Sequence, residues 1–285
     1  MMTHNSLETS LVNVPMPAID EAASSWLTRF AMSQGTDLKT AAQFIGAPYE
    51  GDVDIVMVGP VLRSVISRCG LPNEALAWHE RIMLNLRELE YFGNLLLTTS
   101  ANKPLVRFCK HCLHEMRDPY FPVHWRFSPW QWCPIHDCLM EEACQSCYSR
   151  PASLVDVFET SGGKKGYVKF NRCLKCGTKL NLPVGLLTRS RRFDNLVQEQ
   201  QRKVSNGRAL LSALYHGHFH IVNKKNMVPV AALGEVISRD DFIFSMRPSQ
   251  PSAKKRFTPK WVPPQITWDS QLRVVRQFPG QKTKL

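Results

Sequence analysis

Between residues 109 and 176 the chain sets its thiols in pairs: Cys109-x-x-Cys112, Cys133-x-x-His136, Cys144-x-x-Cys147 and Cys173-x-x-Cys176. Two residues between donors let one tight turn aim both side chains at a single ion, and tetrahedral Zn²⁺ takes two such pairs. Four pairs therefore complete two sites, expected to hold two structural Zn²⁺ ions. A set of three cysteines and one histidine suits zinc better than an iron–sulfur cluster. Both sites are full, whereas a catalytic zinc keeps an open position and a nearby base. Neighbouring Glu141 and Glu142 read as a solvated acidic turn. The chain also lacks a P-loop, G-x-S-x-G, H-E-x-x-H and the H-x-E…P-C-x-x-C deaminase signature, so no enzyme is expected.

Two pairings of the four knuckles remain open. A sequential one joins Cys109, Cys112, Cys133 and His136, then Cys144, Cys147, Cys173 and Cys176. A cross-brace would join the first knuckle to the third. Spacers of 20 residues after Cys112 and 25 after Cys147, with seven between His136 and Cys144, favour two consecutive fingers. Cys138 breaks the two-residue rhythm and reads as a buried bystander, and Cys69 as a small core residue. His216, His218 and His220 alternate as they would on one strand face, but no cysteine or carboxylate completes a donor set there.

Nine cysteines without a secretory leader suit a reducing, cytoplasmic setting, where metal ligands are commoner than disulfides. No run of 18 apolar residues suggests a membrane span. The net charge of +12 is unevenly distributed. Residues 1–100 carry 6 basic against 11 acidic side chains, 101–180 carry 12 against 7, and 181–285 carry 18 against 6. An acidic first third suits a protein partner, and a basic last third suits a polyanion. Candidate contacts to nucleic acid or a partner in that last third are Arg189, Arg191, Arg192, Lys224, Lys225, Lys254, Lys255 and Arg256.

The elements that must carry these residues are mainly α, with small β ribbons. "DEAASSWLTRFAMSQG" reads as a helix with Asp20 as N-cap, Gly35 as stop, and Trp26, Leu27, Phe30 and Ala31 on its apolar stripe. A second helix follows between Asp37 and Gly46. "GPVLRSVISRCG" opens with Pro60, and the next helix has Asn73 as its candidate cap. Helix, Gly turn, helix is the plan of a helix-turn-helix, although this stretch has no basic recognition face. The organisation expected is an N-terminal helical, helix-turn-helix-like domain over 1–103 and a tandem two-zinc-finger domain over 104–181. A helical region follows over 182–245, then a basic Pro-rich tail over 246–285 that has little to pack and would order on a partner. Within the finger region, "ETSGGKKGYVKF" reads as a hairpin or loop. Trp125, Trp130 and Trp132 would be core around the zinc sites, or a stacking platform for RNA bases.

Three stretches resemble the TniQ family, which includes TnsD-type target selectors of transposons. One is "VPMPAIDEAASSWLTRFAMSQG", with Ser25, Trp26, Leu27 and Arg29 at its heart. Another is "RFCKHCLHEMRDPYFPVHW", with Cys109, Cys112, Asp118, Pro119, Tyr120 and Trp125. The third and most specific is "WCPIHDCLMEEACQSC", with Cys133, Pro134, His136, Leu139, Cys144 and Cys147. The resemblance spans about residues 12–180 and supports the sequential pairing. Lys110 stands where the family usually has Pro, and Pro122 where Arg is common. The resemblance implies a non-enzymatic transposition adaptor that links a target-recognition complex to an AAA+ regulator of TnsC/TniB type. In CRISPR-associated transposons that complex is an RNA-guided effector. It further implies contact with DNA and guide RNA, no membrane partner, a homodimer, and a bacterial cytoplasm with nucleoid association during activity. A TnsD-type sequence-specific DNA-binding selector and an RNA-binding zinc protein are the alternatives.

Overall fold

The computed structural model describes residues 11–89, 95–133, 135–136, 138–156, 170–181, 207, 210–220 and 227–232. Among these the chain is mostly helical, with two small antiparallel ribbons. The helices are α1 (Ala23–Gln34), α2 (Leu38–Ile45), α3 (Val53–Val56), α4 (Gly59–Arg68), α5 (Ala77–Arg87) and α6 (Lys110–Glu115). Strands β1 (Trp132–Cys133) and β2 (Cys138–Leu139) form one ribbon, and β3 (His218–His220) and β4 (Met227–Pro229) the other.

Local signals account for several boundaries. Gly35 and Gly46 take left-handed φ values of 65° and 70° to close α1 and α2, a conformation that costs glycine nothing. The Asp37 carboxylate caps α2 by accepting from the Thr40 N–H at 2.8 Å. Pro60 sits in the first turn of α4.

Asp20 and Asn73 do not cap as expected. Helix α1 starts at Ala23, and its first free N–H groups donate to distant side chains. Ala23 reaches His79 Nδ1 at 3.3 Å and Ser24 reaches Asp54 Oδ1 at 2.8 Å. Tertiary partners thus satisfy donors that a local cap would otherwise take. Asp20 is buried instead, accepting from the Tyr120 hydroxyl at 2.7 Å. Helix α5 is entered through Leu76, held at φ 58° with its side chain in the core. The connection from α4 to α5 spans residues 69–76, longer than the three or four residues of a DNA-reading helix-turn-helix.

Two apolar clusters form the interior. The first joins α1, α2 and α4 through Trp26, Leu27, Phe30, Ile45, Leu62 and Val65. The second packs the Trp78, Ile82, Met83 and Leu86 face of α5 against Phe108, Phe121, Trp125, Phe127 and Trp130. It therefore spans the helical segment and the cysteine-rich one. Backbone hydrogen bonds cross the same seam, from Ala22 N–H to Phe121 O at 2.9 Å and from Val123 N–H to Asp20 O at 2.8 Å. Trp125 and Trp130 are each 2% exposed, so they serve as core and offer no stacking face to a base.

Polar groups reinforce the seam. Arg126, in the 3-10 turn Val123–Arg126, is fully buried. Its Nη1 donates to Asp52 Oδ1, Asp54 Oδ2 and Ser153 Oγ at 3.2, 2.8 and 2.7 Å, and its Nη2 to Asp52 Oδ2 at 2.6 Å. One guanidinium thus ties α3 and its N-terminal flank to the segment that follows the third knuckle. Asp54 also accepts from the Ser24 N–H and hydroxyl, carrying the network into α1. Burial pushes the Asp20 carboxyl up to about 6 and that of Glu21 up to about 7, the latter against the pull of Arg29.

His124 is buried between Trp78 and Trp130, its ring centroid 4.7 Å from the latter. Burial pushes its pKa from 6.5 down to about 3. Across that window the unfolded chain binds a proton that the folded chain refuses, so stability is full above 6.5 and falls as the pH drops. His124→Phe is expected to flatten the acid loss of stability by up to about 1.4 kcal/mol per pH unit. Denaturant unfolding of both proteins at pH 7 and pH 5 measures it; parallel losses would show that His124 does not titrate on unfolding.

Further along the chain, residues 210–216 are helical and place Leu210, Leu214 and Tyr215 in the second cluster. Gly217, at φ 73°, then turns the chain into β3. His216 therefore ends the helical stretch and does not share a strand with His218 and His220. The expected hairpin of "ETSGGKKGYVKF" (apart from Phe170), most of the 182–245 helical region and the 246–285 tail lie outside the described residues.

Candidate metal centres

The described structure gathers the eight knuckle donors into two groups: Cys109, Cys112, Cys133 and His136, and Cys144, Cys147, Cys173 and Cys176. Within each, all ligand atoms lie within 4.8 Å of one another. This is the sequential grouping. In the first, His136 Nδ1 lies 3.5, 3.3 and 3.5 Å from the sulfurs of Cys109, Cys112 and Cys133, and Cys112 Sγ lies 3.6 Å from Cys133 Sγ. In the second, Cys144–Cys176 and Cys147–Cys173 are both 3.6 Å apart. Metal–sulfur bonds of about 2.3 Å and metal–nitrogen bonds of about 2.0 Å in a tetrahedron separate two sulfurs by about 3.8 Å and sulfur from nitrogen by about 3.5 Å. Both donor sets fit a tetrahedral metal ion.

Different elements present the first set. Cys109 and Cys112 come from the N-terminal end of α6, Cys133 from β1, and His136 from the turn between β1 and β2. The three cysteines are buried, and the second core wraps them. The outer nitrogen of His136, Nε2, lies 2.9 Å from Glu115 Oε1 at the other end of α6. A carboxylate there orients the ring and leaves Nδ1 as the lone-pair donor to a metal. Hydrogen bonds from Cys112, Cys133 and Cys138 pull the Cys109 thiol down, while those three are pushed up. A bound cation would favour the thiolate forms and draw off their protons.

Local turns build the second set, and they repeat. Cys144-Gln-Ser-Cys147-Tyr148-Ser149 and Cys173-Leu-Lys-Cys176-Gly177-Thr178 follow the same plan. In each, the residue after the second cysteine is left-handed, with φ 57° at Tyr148 and 74° at Gly177. Its N–H returns to the first cysteine's carbonyl, at 2.8 and 2.7 Å. The hydroxyl one position further on meets the second thiol, Ser149 Oγ at 3.1 Å from Cys147 and Thr178 Oγ1 at 3.3 Å from Cys176. These contacts pull Cys147 down to about 6 and lower Cys176 as well, favouring the thiolates a metal requires. Ser149 and Thr178 escaped the sequence reading, although the repeated C-x-x-C-x-[S/T] marks them both.

Tyr148 is 80% exposed in that left-handed conformation, which costs a side chain about 1–2 kcal/mol. Tyr148→Gly should therefore stabilise the second knuckle pair by up to about 1 kcal/mol, since little packing is lost. Competition with a chelator, followed by zinc release, would register the gain. Faster release from the variant would contradict it.

Other expected positions fare differently. Cys69 is core, 5% exposed. Cys138 is only half-buried, and its sulfur lies 3.7 Å from that of Cys109; folding brings it against the first site. Arg189, Arg191, Arg192, Lys224, Lys225, Lys254, Lys255 and Arg256 lie outside the described residues. A groove of about 580 Å³ opens between residues 16–19, α5 and Tyr215. Its lining is apolar except for Glu74, Glu80 and Arg81; Glu80 accepts from the Gly59 N–H, and Arg81 lies over the Tyr215 ring. These groups form no nucleophile–base pair. No described helix is long and apolar enough to cross a membrane.

Residues 13–140 match the family model described as TniQ. The match takes in the whole first donor set and ends before Cys144. The second donor set therefore rests on its own geometry. No curated protein matches the chain.

Proposed function

The chain belongs to the TniQ family through residues 13–140, and on that premise we propose that it is a non-enzymatic transposition adaptor. It joins a target-recognition complex, an RNA-guided CRISPR effector in one family setting, to a TnsC/TniB-like AAA+ regulator at target DNA. The TniQ match carries this reading. Two features support it. Each cluster closes four donors on one point, a structural arrangement with no vertex left for a substrate. The charge division, acidic over 1–100 and basic over 181–285, suits protein docking at one end and phosphate contact at the other.

In this reading all eight knuckle residues ligate two Zn²⁺ ions. The ions hold a cysteine-rich segment whose strands are only two residues long. Eight of the 18 arginines and lysines of the last third, the candidates named above, contact DNA or guide RNA through phosphates, and the adaptor acts in the cytoplasm as a homodimer. The N-terminal helices dock on protein, consistent with the long α4–α5 connection.

Affinity purification of the tagged chain from its native cell, with and without nuclease, tests the proposal. Nuclease-resistant recovery of an AAA+ regulator is the expected result. Recovery of nucleic acid alone, with tight binding to one duplex over competitor DNA, would replace the adaptor with a TnsD-type selector. Recovery of RNA alone would replace it with an RNA-binding zinc protein.

A further inference from the structure

A fifth thiol, that of Cys138, stands beside the four donors gathered at the first metal centre. Cys133 and Cys138 are direct partners in the β1–β2 ribbon, and residues directly opposite on an antiparallel pair project from the same face. The strand that delivers Cys133 thus brings Cys138 with it. Cys138 Sγ lies 3.7 Å from Cys109 Sγ, close to the sulfur–sulfur edge of about 3.8 Å in a tetrahedral zinc site. Yet it stands outside the set of four whose ligand atoms all lie within 4.8 Å of one another.

The four inner donors are not equally secured. Cys109, Cys112 and Cys133 are 0, 6 and 2% exposed, within the second core. His136 comes from a turn, and its outer nitrogen is held by Glu115, whose side chain is 64% exposed. His136 is thus the donor most easily released, while the Cys138 thiol stands 3.7 Å from Cys109 Sγ, a donor that stays in place.

We propose that Cys138 is a resident alternative to His136, exchanging with it so that the centre passes between three-thiolate, one-imidazole coordination and all-thiolate coordination without losing its metal. The inference rests on the first cluster holding zinc. In the exchange the metal–nitrogen bond to His136 breaks and a metal–sulfur bond to Cys138 forms. The Cys138 proton passes to the freed imidazole or to water, and no electrons are transferred. The centre becomes more negative by one charge, and the turn carrying His136 is released from the metal while α6 and β1 stay clamped.

The test uses the full chain as wild type, Cys138→Ser, His136→Ala and the double variant. Zinc per chain is measured by elemental analysis, and the thiolate-to-metal absorption is recorded after cobalt substitution. Wild type, Cys138→Ser and His136→Ala should each hold two ions, and the double variant one. In His136→Ala the thiolate-to-cobalt absorption should rise above wild type. A single ion in His136→Ala, or two in the double variant, would overturn the exchange while leaving the zinc assignment intact. Fewer than two ions in the wild type would remove the assignment itself, and the exchange with it. Should His136→Ala fail to fold, zinc release to a chelator decides, with His136 in place. Cys138→Ser should release its first-site zinc faster than wild type, and equal rates would overturn the proposal.

Discussion

Cys147→Ser is expected to lower the zinc content from two ions per chain to one and to expose residues 141–181 to proteolysis. The second donor set has no fifth thiol among the described residues to replace a missing ligand, and only Cys144 and Cys173 of its four are buried. Structural zinc contributes about 10–16 kcal/mol of binding free energy in small-finger peptides. That rivals the entire stability of about 5–15 kcal/mol typical of a folded domain. Among the described residues of this segment, the other ties include two turns, the Leu105–Ala152, Phe108–Glu141 and Arg172–Lys179 bridges, the Arg126–Ser153 hydrogen bond and a few buried apolar side chains. The damage should stay local, because the core of α1, α2 and α4 draws almost all its side chains from residues 11–76, Leu154 apart. Limited proteolysis with mass spectrometry would show cuts confined to the knuckles and the α1–α5 fragment preserved. Two ions and unchanged protease resistance in the variant would refute structural zinc at this position.

Arg126→Met is the second large effect. The substitution removes a cation from between two carboxylates, leaving Asp54 fully buried and Asp52 largely so. Taking away one partner of a buried ion pair costs about 3–5 kcal/mol, because the remaining charge stays out of water unpaired. Arg126→Lys should rescue little. Two guanidinium nitrogens serve Asp52, Asp54 and Ser153 together, and a single ammonium does not reproduce that fork. In Arg126→Met, burial and the mutual repulsion of Asp52 and Asp54 would lose the counterweight that Arg126 now supplies to the raised Asp52. The loss should therefore deepen as the pH rises above the usual carboxylate range. Adding Asp54→Asn to Arg126→Met should recover part of the stability, and a double-mutant cycle reads the coupling. A loss below about 1 kcal/mol would place the network among pairs that contribute nothing measurable.

The metal centres and the seam differ in how far the sequence reveals them. Two-residue spacing is a local rule, so the four knuckles are legible in the sequence, and the spacers favour the grouping of Cys109, Cys112, Cys133 and His136 that the fold then shows. The stops at Gly35 and Gly46 and the cap at Asp37 are legible for the same reason, since each is satisfied within its own turn. Asp20 looks like a cap and is not one, because its carboxylate is claimed by Tyr120, 100 positions away in the chain. The first-turn amides of α1 are likewise claimed by His79 and Asp54. No pattern in a short window of sequence carries those partners.

Cys138 shows the division most clearly. Its spacing sets it apart from the paired ligands, and by that criterion it is a bystander. Pairing of β1 with β2 nonetheless places it opposite Cys133, within reach of Cys109. The sequence alone determined the donor types, their pairing into knuckles, the helical periods of the N-terminal segment and the TniQ resemblance, because each is written in spacings of a few residues. Tertiary structure alone decided that Arg126 unites α3 with the cysteine-rich segment, that Trp125 and Trp130 are core, and that a fifth thiol stands at the first centre. Those outcomes depend on which distant groups fill the same buried volume, where an unpaired charge or polar atom costs more than a local preference can return.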